Sequence, residues 1–360
     1  MSDAQISVLV LYNRVGDDEY EKMRQVDPAT LGFTPQYPLD VATEAEEYAA
    51  VVKTLRGEGF KAGALNLRDD IAKLEALLRR RPPHVIFNLV EHFRGDPTLE
   101  PNIAGLFELH GVAYTGAPPF ALTLCLRKGL TKQVLLANRV PTPRYRLLWE
   151  PAFPKRHGLH YPLIVKPARE DASSGVEKGS VVHDQDQLRA RVDAAFAEFA
   201  PPILVEEFIE GKELHVSILG NDPPEVLPLI EWDFSALPAD HPPIISYDVK
   251  WDPLAEVYHQ VHSRCPAQIG KRAFKRVAEA AIQAYRVTGC RDYARLDIRL
   301  AKGTIPYVLD VNPNPDLTEG VSFMESAEAA GYSFAQALRR IVELALVRRP
   351  GELSPTVLSV

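Results

Sequence analysis

The chain has 360 residues, a formal net charge of -7 and a hydrophobic fraction of 46%. This length and composition predict a globular protein of two or three domains. The acidic balance argues against a general nucleic-acid binder, and no apolar run reaches the ~18 residues that a membrane helix needs. The three cysteines, Cys125, Cys265 and Cys290, are odd in number and far apart, which argues against a disulfide framework and favours a reducing cytoplasm.

The first third of the chain predicts parallel strands that alternate with helices. Nearly continuous apolar runs at 6–12 and 84–90 are typical of buried parallel strands, and another strand is predicted near 61–67. Helices are predicted at 43–57, where Thr43 and Glu46 would form a capping box, at 69–81 and at 102–111, and an extended loop at 13–42. Ligands of such sheets bind at the carboxyl ends of strands. Glu91 and His92 follow the run 84–90 and are therefore candidates for substrate contact, with a solvated loop as the alternative.

A second region combines a strand end with a loop of small residues. A helix is predicted over 120–138, carrying Lys128 and Lys132, and a new region opens at 141–145. The strand 161–167 ends at Lys166, whose ammonium can reach a phosphate. The following loop contains Ser173 and Ser174, and its backbone N–H groups would suit a cover over phosphates. The alternative is an ordinary Ser/Gly-rich turn.

The next segments carry acidic and aromatic side chains at predicted strand ends. Residues 203–216 form strand, acidic turn and strand, in which Glu206 and the backbone carbonyl of Glu207 could accept a hydrogen bond from an adenine amino group. Glu213 could accept ribose hydroxyls, although polar strand ends alone do not establish this. An irregular stretch at 244–252 contains Tyr247 and Lys250, and we expect it to close over the site.

Two β-like runs, 293–300 and 305–312, predict a hairpin. Because side chains alternate along a strand, the second strand is expected to place Leu309 and Val311 on its apolar face. A two-residue loop at Lys302-Gly303 would put Arg295 directly across from Asp310.

The polar face of this hairpin predicts a metal site. Arg295, Asp297, Asp310 and Asn312 are expected to project into one space. Two carboxylates and an amide are hard oxygen ligands that suit Mg²⁺ held together with nucleotide phosphates, and the arginine could stabilise charge in a transition state. The alternative is a polar face turned to solvent.

Taken together, these motifs resemble the ATP-grasp superfamily and, within it, the D-alanine–D-alanine ligase-like group. The resemblance covers about 88–346, and the order and spacing of the motifs are more specific than any one of them. The ordered series is Lys128, Val165-Lys166-Pro167, Ser173-Ser174-Gly175, Glu206-Glu207-Phe208-Ile209, Glu213, Arg295-Leu296-Asp297 and Asp310-Val311-Asn312.

The resemblance implies an α/β fold class, with α+β character in the ATP-grasp part, and three domains. These would be an N-terminal parallel α/β domain at 1–120, a central ATP-grasp lid at 121–212, and a C-terminal subdomain at 213–350 that holds the metal and catalytic site. A tail would occupy 351–360. Predicted helices at 268–289 and 333–347 fall in the third domain.

The resemblance also implies an ATP-dependent carboxylate–amine ligase that forms an amide bond through an acylphosphate. Its partners would be amino acids or small peptides, its cofactors ATP and Mg²⁺ (two ions, or Mn²⁺ in their place), and a homodimer is compatible with it. By position, Lys128 and Lys166 would contact phosphates or the adenine side, and Glu213 the ribose. Glu206, Glu207, Phe208 and Ile209 would hold adenine, Asp297, Asp310 and Asn312 the metal, and Arg295 and Ser174 would serve catalysis.

One departure from the family pattern concerns the substrate. Asp316 stands where the family usually has glycine, so a carboxylate lies near the place expected for a substrate carboxylate. Because like charges repel, free D-alanine is disfavoured as the acceptor. A genuine D-alanine–D-alanine ligase and an ATP-binding regulatory module without turnover stay as alternatives.

Overall fold

The computed structural model describes residues 5–16, 19–154 and 156–348. Its first sheet is parallel and has the strand order β2-β1-β3-β4. The strands are β1 (Ser7–Tyr12), β2 (Lys61–Asn66), β3 (Val85–Asn88) and β4 (Ala113–Tyr114); the helices are α1 (Glu19–Met23), α2 (Glu44–Gly57), α3 (Ile71–Arg80) and α4 (Glu100–Leu109). The predicted alternation of parallel strands and helices is confirmed, including the capping box of Thr43 and Glu46 before α2.

Two expectations for this half of the chain were wrong. The predicted loop 13–42 contains α1 and a single 3-10 turn, Pro28–Thr30, which Asp27 caps. The predicted helix 120–138 is two helices, α5 (Pro119–Leu126) and α6 (Lys128–Ala137). At the break, Arg127 leaves helical geometry (φ -94°, ψ 75°), and the backbone N–H of Lys128 donates to the carbonyl of Ala168. This break puts Lys128 at the start of a helix, beside the end of a strand.

The second sheet is antiparallel, with the order β5-β8-β6-β7. Its elements are β5 (Tyr145–Leu148), β6 (Leu163–Pro167), β7 (Val181–Val182), α7 (Gln185–Glu198) and β8 (Ile203–Glu207). The sheet packs on α7 through Val165, Leu188, Val192 and Val205. Ile164 lies opposite Glu206 and Lys166 opposite Leu204, so Lys166 and Glu206 are diagonal neighbours on one face.

The third sheet is also antiparallel, with the order β12-β11-β9-β13-β14 and β10 paired to β9. Its strands are β9 (Lys212–Leu219), β10 (Glu225–Val226), β11 (Ile230–Asp233), β12 (His262–Arg264), β13 (Tyr293–Ala301) and β14 (Ile305–Asn312). The helices in this part of the chain are α8 (Tyr247–Trp251), α9 (Lys271–Thr288), α10 (Ser322–Ala329) and α11 (Phe334–Leu346). The short helix α8 replaces the irregular stretch expected there, because Ser246 caps it by accepting from the N–H of Val249.

No helix in the described part of the chain combines the length and apolarity that a membrane span requires. The predicted tail, 351–360, lies outside the described residues. The division into three domains stays a prediction.

The hairpin β13–β14 is confirmed, but its expected register was wrong. The loop has three residues, since Ala301 pairs with Ile305, and a β-bulge near Leu309 shifts the pairing between Asp297 and Ile298. Arg295 therefore lies opposite Asn312, and Asp297 opposite Asp310. The bulge adds one residue to β14.

The bulge decides which side chains of β14 enter the core. Val308 and Val311 are both buried against Leu296, Ile298 and α9, although strict alternation would put residues three apart on opposite faces. Leu309, expected in the core, is only half-buried and lines a cleft with Asp310 and Asn312. The hairpin can thus bury two valines and still present both polar side chains together.

We predict that Val308→Asn destabilises the protein far more than Leu309→Asn. Val308 is fully buried, so the polar substitution forfeits apolar burial and leaves an amide unsatisfied, about 3–5 kcal/mol in all. The matched change at Leu309 should cost under about 1.5 kcal/mol, because its side chain already borders the polar cleft. Urea unfolding of both variants measures the difference. Equal or reversed costs would mean that β14 alternates regularly.

Candidate active site

A cleft with about 950 Å³ of empty volume, part of it open to solvent, lies between the second sheet and the hairpin β13–β14. It gathers most of the side chains that the sequence singled out. Those on its lining are Lys128, Lys166, Ser173, Ser174, Glu206, Glu207, Phe208, Ile209, Glu213, Lys250, Arg295, Asp297, Asp310 and Asn312. Glu91, His92, Tyr247 and Asp316 are not part of that lining.

At one end of the cleft, the predicted metal ligands are paired with cations. The Arg295 guanidinium donates to both oxygens of Asp297, at 2.8 and 3.1 Å, and Lys128 Nζ donates to Asp310 Oδ2 at 2.5 Å. Burial by itself would raise the pKa of Asp297, but the attraction and the hydrogen bonds of Arg295 outweigh burial and lower it. The two carboxylates, which lie opposite each other across the hairpin, are thus each paired with a cationic side chain.

The donor set at this end suits a cation shared with phosphates better than a closed protein cage. Asn312 Nδ2 lies 3.3 Å from Asp297 Oδ2, so two carboxylates and one amide oxygen are available. Among the described residues, no three His, Cys, Asp or Glu side chains converge as a metal cage. Mg²⁺ is commonly held by one or two carboxylates together with substrate phosphates, and the residues present fit that arrangement.

At the other side of the cleft, Glu206 is clasped by two lysines. Its Oε1 lies 2.7 Å from Lys166 Nζ, and its Oε2 lies 2.6 Å from Lys132 Nζ in a close ion pair without hydrogen-bond alignment. Burial would raise the pKa of Glu206, but the two ammonium groups lower it to about 2. The pKa of Lys132 is lowered because its burial outweighs the attraction of Glu206. The Glu206 carboxylate, expected to meet adenine, is thus already occupied.

Comparison with known proteins agrees with this geometry. The family described as "D-ala D-ala ligase C-terminus" matches residues 150–343. A D-alanine–D-alanine ligase of Desulforudis audaxviator is 32% identical over 304 residues, covering 83% of this chain and 92% of that protein. An uncharacterized protein of Sinorhizobium fredii, y4sG, is 32% identical over 77% of this chain and 81% of its own length.

The chain belongs to the D-alanine–D-alanine ligase family. The family assignment makes it an ATP-grasp ligase, an enzyme that forms an amide bond at the expense of ATP. The fold agrees: the crystal structure of D-alanine–D-alanine ligase from Bacillus anthracis complexed with ATP superposes with a TM-score of 0.72 at 20% identity, covering 96% of this chain and 99% of that one. The resemblance inferred from the motifs is confirmed.

In this ligase the loop after β6 is fastened to the segment that carries α8. Ser173 Oγ donates to the carbonyl of Ile245 at 3.1 Å, and Trp251 Nε1 donates to the carbonyl of Ala172 at 2.7 Å. Ala172 and Ser173 adopt positive φ angles of 54° and 62°, which non-glycine residues seldom do. The predicted cover loop is therefore shaped and held by contacts rather than free in solvent.

The predicted substrate residues divide into two groups. Lys250 lines the cleft. Although Glu91 is an exposed residue, desolvation and then repulsion from Asp316 raise the pKa of its carboxyl, while Lys250 opposes the rise, so the three charged groups lie near one another. Asp316 also accepts from the N–H of Thr318 at 2.8 Å. His92 and Tyr247 do not line the cleft, and Tyr247 is 46% exposed.

Three residues to which the sequence reasoning gave no role in the site also belong to the cleft or support it: Lys132, His215 and Arg299. Lys132 lies four residues after Lys128 on α6, a spacing that puts both lysines on one helix face and could have revealed it. His215 Nε2 lies 3.6 Å from Asp297 Oδ1, and burial lowers its pKa to about 3, so the ring is neutral. No local pattern marks His215, because β9 meets β13 only in the folded chain.

We predict that Glu206→Gln lowers the free energy of unfolding by about 3–5 kcal/mol at neutral pH, because Lys132 loses its buried counter-charge. Glu206 has its full stabilising effect above its ordinary pKa of 4.5 and loses it as the pH falls towards about 2. Urea unfolding should therefore show that the difference in the free energy of unfolding between variant and wild type narrows as the pH falls from 4.5 towards about 2. Glu207→Gln is the matched control. Because the Glu207 carboxylate pairs with the exposed His160, this substitution should lower the free energy of unfolding by less than about 1 kcal/mol. A pH-independent gap would contradict the ion-pair account.

Proposed function

We propose that this ligase joins a substrate carboxylate to a substrate amine through an acylphosphate, with amino acids or small peptides as substrates. The observation that carries the proposal is the cation and carboxylate arrangement on one cleft: Lys128 and Lys166 face the polar side of β13–β14, where Arg295, Asp297 and Asp310 converge. A nucleotide's phosphates fit between the lysines and the hairpin. Asp297, Asp310 and Asn312 would hold Mg²⁺, two ions in our proposal or Mn²⁺ in their place, which would neutralise phosphate charge.

The chemistry requires no protein nucleophile. A carboxylate oxygen of the first substrate attacks the γ-phosphorus of ATP, ADP leaves, and the acylphosphate forms. The amine nitrogen of the second substrate then attacks the acyl carbon, loses a proton and expels phosphate. Lys128 and Lys166 bind the phosphates, while the loop of Ser173 and Ser174 excludes water from the intermediate.

Arg295 is proposed to stabilise the oxyanion of the tetrahedral intermediate. Two of its nitrogens, Nε and Nη2, are fixed by Asp297, which leaves Nη1 without a hydrogen-bond partner among the described residues. A donor held in this way needs little reorganisation when negative charge develops. We assign Glu206 a different role from the one its position in the motif implies: it orients Lys166 and Lys132.

On the substrate side we propose Lys250, Glu91 and Asp316, which lie together at the edge of the cleft. The acidic pair would repel a free carboxylate, so we propose an acceptor other than free D-alanine. The named relatives favour one alternative, a genuine D-alanine–D-alanine ligase. The lysines and carboxylates gathered in the cleft argue against the other alternative, a regulatory module without turnover.

The test is ATP-dependent phosphate release with Mg²⁺ on a panel of amino acids and dipeptides, with product masses read out. Release that depends on a carboxylate and an amine, with a product lighter than their sum by one water, supports the ligase reaction. Asp297→Ala serves as the inactive control. A dipeptide formed from D-alanine alone selects the genuine D-alanine–D-alanine ligase, and ATP binding without release on the whole panel overturns the ligase proposal.

We predict that Arg295→Ala lowers kcat by about 10²–10³-fold, the range seen when an oxyanion donor is removed. The dissociation constant for ATP should change less than about threefold, because Lys128 and Lys166 remain in place. Single-turnover kinetics and equilibrium nucleotide titration separate the two quantities. Weakened ATP binding with an unchanged kcat would reassign Arg295 to the nucleotide.

A further inference from the structure

Arg299 is a buried arginine in the wall of the cleft, with 2% of its surface exposed. It follows Arg295 and Asp297 on the same face of β13, and the strand register places it opposite Glu213 of β9. By strand geometry it lies ~7 Å from Asp297 along the chain. The residue is therefore part of the cleft but is removed from the carboxylates that face the phosphates.

The guanidinium of Arg299 joins three separate segments. It lies 2.5 Å from Glu213 Oε2, Nη1 donates to the carbonyl of Gly211 at 3.0 Å, and Nη2 donates to the carbonyl of Pro243. Its charge also lies over two aromatic rings, 5.0 Å from the centre of Phe208 and 5.7 Å from that of Phe234. Such stacked, forked contacts use the planar shape of arginine and not only its charge.

The segments that Arg299 ties together form one part of the cleft wall. Phe208 and Glu213 line the cleft directly, and Pro243 precedes Ile244, which lines it as well. The turn at Gly211 approaches β13 so closely that a Cβ there would lie 2.2 Å from the carbonyl oxygen of Leu300. Arg299 therefore holds the segments of Gly211, Glu213 and Pro243 together in the middle of this part of the cleft wall.

Arg299 also opposes the effect of burial on the Glu213 carboxyl. Burial raises the pKa of Glu213, and the attraction of Arg299 is the largest opposing influence. Without the guanidinium, the buried carboxyl would lose its strongest cationic neighbour, and Lys166 alone would oppose burial. A neutral carboxyl has one O–H donor in place of an acceptor oxygen and accepts weaker hydrogen bonds from neighbouring hydroxyl groups than a carboxylate does.

We propose that Arg299 is a positioning residue for the nucleoside: through their buried ion pair it orients Glu213 as the acceptor for the ribose hydroxyls of ATP. The inference rests on the proposed function, in which the phosphates occupy the lysine end of the same cleft. Arg299 acts through Glu213 and does not touch the reacting atoms. Its effect therefore belongs in nucleotide affinity and ribose discrimination, not in the chemical step.

The test compares Arg299→Met and Arg299→Lys with wild type in equilibrium titrations with ATP, 2′-deoxy-ATP and 3′-deoxy-ATP. We expect Arg299→Met to weaken ATP binding at least about tenfold, the loss of one charge-assisted contact, and to reduce the preference for ATP over the deoxy analogues. At saturating ATP, kcat should stay within about threefold. Lysine retains the positive charge but lacks the forked guanidinium, so the ATP affinity of Arg299→Lys should lie between those of wild type and Arg299→Met. If Arg299→Met does not fold, Arg299→Lys is the variant to be compared with wild type.

Two further variants separate positioning from a general loss of stability. Arg348→Met removes an arginine from another buried carboxylate, Asp292, away from the cleft lining; it should lower the melting temperature and leave ATP affinity unchanged. Glu213→Gln should reduce ribose discrimination as Arg299→Met does, and the double variant should lose no more than either one. Equal losses for ATP and both deoxy analogues, or additive losses in the double variant, would overturn the inference. Wild-type protein that binds no ATP would instead refute the proposed function.

Discussion

The cleft depends on the pairing of buried charges. Arg295 with Asp297, Lys128 with Asp310, and Glu206 with Lys132 and Lys166 place opposite charges 2.5–2.8 Å apart along its walls. An isolated ion in such surroundings costs several kcal/mol, so each carboxylate that is useful for binding needs a cation to be ionised at all. The wall can then be rigid and polar before any ligand arrives, which is the condition for electrostatic preorganisation.

The same pairing suggests how a nucleotide would enter the site. Lys128 is bound to Asp310 in the described structure, and a phosphate would compete with that carboxylate for the ammonium group. A cation arriving with the phosphates would in turn compensate Asp310 and Asp297. Exchange of partners, rather than creation of unpaired charge, keeps the cost of binding low. Glu206 differs from these carboxylates, because both of its oxygens are enclosed by lysines and it has no comparable exchange.

The strand pairing of β13 brings these groups together. β13 lies between β9 and β14, so one face of a single strand reaches Glu213 on one side and Asp310 on the other. The opposite face, with Leu296 and Ile298, packs on α9 in the core. The alternation that buries the apolar residues therefore lines up Arg295, Asp297 and Arg299 in the cleft, and the bulge at Leu309 lets β14 match that face.

The sequence by itself determined the parallel N-terminal sheet, the hairpin, the capping box of α2 and the family, since these depend on local periodicity and on the order of motifs. It did not determine the break at Arg127, the register of the hairpin, the lysine partners of Glu206 or the part that Arg299 takes in the cleft wall. The alternation of one strand cannot reveal a bulge in its neighbour, and a buried charge cannot be matched to a partner tens of residues away. Those features follow from which strands pair and where they end, and only the tertiary structure decides that.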